Sequence, residues 1–155
     1  MSARIRATGV ALRPLTPDDL PAVLDLWVAT WQATYPAIDF ETRRGWMIAR
    51  LADHARDRAE SIVAVEDDRP VGLIVVNAIT GYLDQFAVAP THRARGIADL
   101  LLDECRRLCP RGYSLHVNTD NGRAVRFYRR HGLVTLGEDI NPRSGAPIYR
   151  MRWQP

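Results

Sequence analysis

The chain has 155 residues, 46% hydrophobic and 25% charged, a length and balance that suit one globular domain spanning 1–155 and exclude a disordered or fibrous protein. Its formal net charge of +3 is carried by 21 basic residues, all arginine and spread along the chain, so no nucleic-acid partner is expected. No apolar run nears the roughly 20 residues of a membrane span, "MSARIRATGV" has no apolar signal region, and two cysteines make no disulfide framework, so the expectation is a cytoplasmic protein with no membrane partner.

"IRATGVALRPL" reads as a first strand ending near Leu15. In "TPDDLPAVLDLWVATWQATY", Thr16 or Asp18 can cap a helix and Pro17 suits its first turn. Leu20, Val23, Leu24, Trp27 and Trp31 then fall on one helical face. "DFETRRGWMIARLADHA" predicts a weaker second helix with Gly45 in its middle.

The next stretch is rich in Val and Ile and is broken at Asp67-Asp68 and Gly81. It predicts three antiparallel strands over 61–66, 70–78 and 81–88. Pro90 ends the third. A basic turn follows, then a helix with Ile97, Leu101, Cys105 and Leu108 on one face and Asp99, Asp103, Arg106 and Arg107 on the other. Pro110-Arg111-Gly112 stops it. "YSLHVN" reads as a strand. "TDNGRAVRFYRRHG" reads as a helix capped by Asp120 or Asn121 and ended by Gly132. "LVTLGED" and "PIYRMRW" are two last strands. The order β-α-α-β-β-β-α-β-α-β-β predicts an α+β (mixed α/β) fold, a mixed sheet with helices packed on it.

The basic turn raises a chemical question. A helix N-terminus is already positive, so arginines there do not help the helix. They make sense if an anion belongs in the turn. Backbone amides can converge on a phosphate oxygen, Gly96 permits close approach, and Arg93 and Arg95 can add charge-assisted hydrogen bonds. A turn that is merely solvated is the plainer reading of this stretch alone.

A second motif sharpens the first. "RARGIA", with Arg93, Gly96 and Ala98, resembles the (Arg/Gln)-x-x-Gly-x-(Gly/Ala) turn of the GCN5-related N-acetyltransferase (GNAT) family. Asn121, Ala124, Phe127, Tyr128 and Gly132 match the family's next signature, and "YLDQFAVAP" is similar to its fourth strand. Ala98 stands where glycine is commoner. The resemblance implies a GNAT fold: a mostly antiparallel sheet of about seven strands, splayed between the fourth and fifth, with about four helices. It implies acetyl-CoA as co-substrate, its pyrophosphate on the amides of Arg93, Ala94, Arg95, Gly96, Ile97 and Ala98, near Asn121. The pantetheine would pair with Phe86, Ala87 and Val88, on a strand edge suited to an amide-bearing arm.

The implied activity is acetyl transfer to a primary amine, of a small molecule or a peptide N-terminus, by direct attack in a ternary complex. Tyr128 stands at the family's position for the acid that protonates the thiolate. His116, in "LHVN", is one candidate base, since imidazole changes charge near neutral pH. Asp84 is another, or a site for the substrate ammonium, and water is a third. Asp84 is expected to share a strand face with Phe86 and Val88. Trp27, Trp31, Tyr35 and Trp46 are core or acceptor wall, with Trp31 and Tyr35 the nearer to a pocket. Arg123, Arg126, Arg129 and Arg130 form a solvated face from which one could reach the 3′-phosphate of CoA. Cys105 and Cys109 read as packing residues, and His54, His92 and His131 lack metal-ligand spacing, so no metal is expected. A non-catalytic acyl-CoA-binding or sensing module is the alternative, and a homodimer stays open.

Overall fold

The computed structural model describes residues 4, 5 and 9–155. Its elements in chain order are β1 (Arg4–Ile5), β2 (Ala11–Pro14), α1 (Leu20–Thr34), α2 (Arg44–Arg56), β3 (Glu60–Glu66), β4 (Arg69–Asn77), β5 (Tyr82–Val88), α3 (Ile97–Leu108), β6 (Tyr113–Asn118), α4 (Gly122–Arg130), β7 (Val134–Ile140) and β8 (Pro147–Trp153). The described strands form one sheet in the order β1-β2-β3-β4-β5-β6-β8-β7. All neighbours are antiparallel except β5 and β6. The fold is therefore the expected mixed one, and the expected fourth and fifth strands are β5 and β6.

Two expectations change at the N-terminal side. The first strand is not one run over 5–15: β1 and β2 pair antiparallel, with Ile5 opposite Ala11, so the chain doubles back, and residues 6–8 lie outside the described ones. Gly45 is not mid-helix. A 3-10 turn, Phe40–Arg43, takes up the start of the predicted helix, so Gly45 is the second residue of α2, where its helix cost is small.

β3 and β4 are nearly continuous apolar runs because helices cover both faces of the sheet. Ile62, Ala64, Ile74 and Val76 face α3 and α4 with Leu101, Cys105, Val125 and Tyr128. Val63, Val65, Leu73 and Val75 face α1 and α2 with Val23, Trp27, Met47 and Leu51. A Cβ on Gly72 would come 2.8 Å from Leu101 Cδ1, so the absence of a side chain there lets α3 lie close to the sheet. Both cysteines are free and buried in this packing. Among the described residues no helix is long and apolar enough to cross a membrane.

The entry to α1 is fixed electrostatically. Arg13 donates to both Asp19 carboxylate oxygens, at 2.6 and 2.8 Å, and the Thr16 N–H donates to the same carboxylate at 2.7 Å. The Arg13 guanidinium outweighs burial and, with Thr16, holds the Asp19 carboxyl down at about 2. A folded-state pKa below the unfolded one stabilises at neutral pH, and the gain is lost as pH falls from about 4 toward 2. Asp19→Asn should therefore cost about 2 kcal/mol near pH 7 and little near pH 2. Urea midpoints at the two pH values measure this, and a pH-independent cost would refute the electrostatic account.

Candidate active site

β5 and β6 run parallel but share a single register pair, Tyr82 with Ser114, next to a 2.8 Å bond from the Ser114 N–H to the Gly81 C=O. Beyond that pair the strands separate, and a cleft of about 1110 Å³ opens between them. Two glycines close its narrow end. A Cβ on Gly81 would meet the Gly112 carbonyl oxygen at 3.1 Å, and one on Gly112, which has φ 123°, would meet the Trp153 carbonyl oxygen at 2.6 Å.

The basic turn lies at the other end of β5. A 3-10 turn, Pro90–His92, follows β5, then Ala94 and Gly96 take left-handed φ values of 61° and 82° before α3 begins. No side chain caps α3, so its first amides are open to a guest. Arg93, Ala94, Gly96 and Ala98 line the cleft. Arg95 differs from expectation: its guanidinium is drawn off by Glu66 at 2.6 Å and does not line the cleft. The Ile97 side chain is in the core, leaving only its backbone at the turn. Arg123, Arg126 and Arg130 of α4 line the cleft, whereas Arg129 turns toward Thr135 and Tyr149. Burial and the nearby charge of Arg123 lower the Arg93 pKa, a strain between like charges that an anion would relieve. Asn121 lines the cleft but uses its side chain to cap α4, accepting from the Ala124 N–H at 3.4 Å.

Midway along the cleft, β4 occupies one edge of β5, with Ile74, Leu73 and Gly72 opposite Phe86, Ala87 and Val88. The other edge faces the gap. Phe86 packs edge-on to Tyr128 at 5.9 Å. Tyr128 lines the cleft while only 7% exposed, and no described residue hydrogen-bonds its hydroxyl. Burial, with a smaller contribution from Cys105, pushes the Tyr128 hydroxyl pKa up, so it stays protonated.

Asp84 departs from its expected face. The β4–β5 register steps from Val75 opposite Gln85 to Val76 opposite Leu83, which makes Asp84 the extra residue of a bulge. The bulge turns Asp84 toward α2, while Phe86 and Val88 pack on the α3–α4 side. There Arg50 donates to both carboxylate oxygens, Gln85 donates at 3.0 Å, and His54 Nε2 lies at 2.8 Å. Burial alone would raise the Asp84 pKa, but these partners outweigh it and the net shift is downward. Three of these partners meet Oδ2 and only Arg50 meets Oδ1, and Asp84 still lines the cleft, so the expected base or ammonium role is left to Oδ1 alone.

His116 sits on the opposite sheet face from Tyr128, since Tyr113, Leu115 and Val117 take the α3–α4 face. Its Nδ1 is 2.8 Å from the Tyr82 hydroxyl and its Nε2 is 3.2 Å from Asp139. Arg150 also pairs with Asp139, at 3.2 Å. Tyr82, His116 and Asp139 all line the cleft. Of these three residues only His116 stands out in the sequence. Asp139 lies in a late strand whose register with β8 carries no local signal.

The acceptor-side wall is aromatic. Trp31 and Tyr35 stack at 6.0 Å. The Tyr35 hydroxyl donates to Asp120 at 2.8 Å and accepts from Asn118 at 3.0 Å, tying α1 to the end of β6. Burial pushes the Tyr35 pKa up to about 12; Asn118 opposes this and Asp120 adds to it. Trp27 is in the core and donates to Gln85. Trp46 is covered by Arg143, 3.9 Å from its ring, in the loop between β7 and β8.

A model of the acetyltransferase (GNAT) family matches residues 20–133. The chain is 34% identical over 124 residues to the peptidyl-lysine N-acetyltransferase YjaB of Salmonella typhimurium (strain LT2), covering 77% of this chain and 83% of that protein. Among solved structures, apo YjaB from Escherichia coli superposes with a TM-score of 0.73 at 22% identity, over 93% of this chain and 97% of that one. The PaiA N-acetyltransferase of Thermoplasma acidophilum, solved in complex with coenzyme A, gives a TM-score of 0.78 at 18% identity, over 94% and 99%. The two structures share the fold, and the sequence matches establish descent. With the family model spanning all four described α-helices and strands β3–β6, the chain belongs to the GNAT family of acetyltransferases.

Proposed function

We propose that this acetyltransferase, whose donor is acetyl-CoA, acts on the ε-amine of a lysine in a peptide or protein. The acceptor class is the one named for the 34% identical relative. The observation that carries the mechanism is the gap between β5 and β6, with a protonated tyrosine on one face and a hydrogen-bonded histidine on the other. The residues present fit the co-substrate: open amides and paired arginines for phosphate, and a free β5 edge for the pantetheine arm.

The neutral amine attacks the thioester carbonyl carbon, a C–N bond forms and the C–S bond breaks. The nitrogen must lose one proton and the thiolate must gain one. Asp139 accepts from His116 Nε2–H, which leaves Nδ1 free to accept from Tyr82. The amine proton passes to the Tyr82 oxygen as the Tyr82 proton passes to His116. On the other face the Tyr128 hydroxyl, kept protonated by burial, gives its proton to the thiolate.

Thiol release from acetyl-CoA over a panel of lysine peptides and small amines tests the reading. Lysine peptides should be the better substrates. His116→Ala should lower kcat/KM roughly 10²-fold or more near neutral pH, with recovery at higher pH, where hydroxide can take the proton from the attacking nitrogen. The KM for acetyl-CoA should not move. Turnover of small amines alone would overturn the acceptor class, and an unchanged pH profile would give the base role to water.

A further inference from the structure

The acceptor side of the cleft has a charge pattern that acetyl transfer does not explain. Arg43, Arg50 and Arg143 all line it. Asp84 is the carboxylate beside them, and Arg50, Gln85 and His54 already bond to it. Arg43 and Arg143 rest on aromatic rings: Arg43 over Phe40 at 5.1 Å and Arg143 over Trp46 at 3.9 Å. Neither makes an ion pair among the described residues. Burial, then Arg50 and Arg43, lowers the Arg143 pKa, so the guanidiniums repel one another.

The other carboxylates of this region are also engaged. Asp120 accepts from Tyr35, and Asp139 holds His116 and Arg150. A cleft built only for a cationic lysine would offer it a free carboxylate. This one offers two unpaired guanidiniums, held in place by the rings beneath them. Guanidinium groups bind carboxylates through paired, charge-assisted hydrogen bonds, and stacking leaves their edges free to do so.

From this we infer that the acceptor carries a carboxylate close to its reacting amine, and that Arg143 and Arg43 bind it at the Trp46 rim of the cleft. The inference rests on the acetyl-transfer reading and narrows its substrate class. The carboxylate comes either from an acidic side chain next to the lysine in a peptide or from the α-carboxylate of a free amino acid.

Two matched pairs separate these sources: peptides with one lysine flanked by Glu or by Gln, and free lysine against lysine amide. For each pair, kcat/KM and equilibrium binding to the CoA-loaded protein are measured with the parent, Arg143→Gln and Arg143→Glu. The parent should favour the carboxylate-bearing member of at least one pair by about 10-fold or more. Arg143→Gln should bring that ratio toward one and Arg143→Glu should invert it, while acetyl-CoA affinity is retained. Preference in the peptide pair assigns an acidic neighbour, and preference only for free lysine assigns the α-carboxylate. Equal use of both members by the parent, or a preference that survives in Arg143→Gln, overturns the inference and leaves lysine acetylation standing. Arg143-dependent binding of the Glu peptide without turnover of any lysine acceptor would sustain the anion site and remove the lysine-acetylation reading. Absence of both binding and turnover for every member of the two pairs would overturn the inference.

Discussion

Tyr128→Phe should lower the single-turnover rate of acetyl transfer by roughly 10²–10⁴-fold while acetyl-CoA still binds. The ring survives the change, and with it the packing on Phe86 at 5.9 Å and Phe127 at 5.7 Å. No described residue depends on the hydroxyl for a hydrogen bond, so no partner is orphaned and stability should shift little. What disappears is a proton held ready at the cleft. The departing thiolate must then find its proton in water. Single-turnover conditions matter because slow product release would mask a loss in the chemical step. A mutant as fast as the parent there would make Tyr128 a packing residue and assign protonation elsewhere.

Gly112→Ala should have the largest effect on stability. The new Cβ would fall 2.6 Å from the Trp153 carbonyl oxygen at a φ of 123°. Backbone cannot yield as a flexible side chain can, so strand β8 or the turn before β6 must move. A cost of about 3 kcal/mol is expected, which lowers the Tm by about 6–12 °C in a chain of this size. Gly145→Ala is the control. Its φ is also positive, at 74°, but no atom lies within 4 Å of the added Cβ, so only the left-handed penalty of about 1–2 kcal/mol applies. Equal losses in the two mutants would refute the steric explanation.

The pattern of success in reading the sequence follows the range of the forces involved. β6 runs from Tyr113 to Asn118, as "YSLHVN" implies, because alternation and flanking turn residues are local. α4 is capped by Asn121, as its side-chain chemistry implies. The turn before α3 was legible because a proline, a glycine and the start of an apolar helical face are adjacent in the chain. Asp84 was misplaced because a bulge is a property of two strands, and the sequence of β5 alone does not announce it. The Tyr82–His116–Asp139 chain was half visible. His116 faces Arg150 across β6 and β8, and Asp139 faces Ile148 across β7 and β8, so two strand registers must be known before the two side chains meet. Arg143 over Trp46 is further still from sequence. It depends on how far a loop leans across a cleft, which no periodicity encodes.

The lone bridge between β5 and β6 gives the sheet the mechanics of a clasp. Strands β1–β5 form one plate and β6–β8 the other, joined at Tyr82 and Ser114. A substrate arm bonded to the free edge of β5, as proposed above, would fill the place of a missing strand and stiffen the joint it occupies. That stiffening would leave with the product. The rigidity needed to align donor and acceptor would then be partly brought by the donor itself, and each catalytic cycle would begin by assembling the frame in which it takes place.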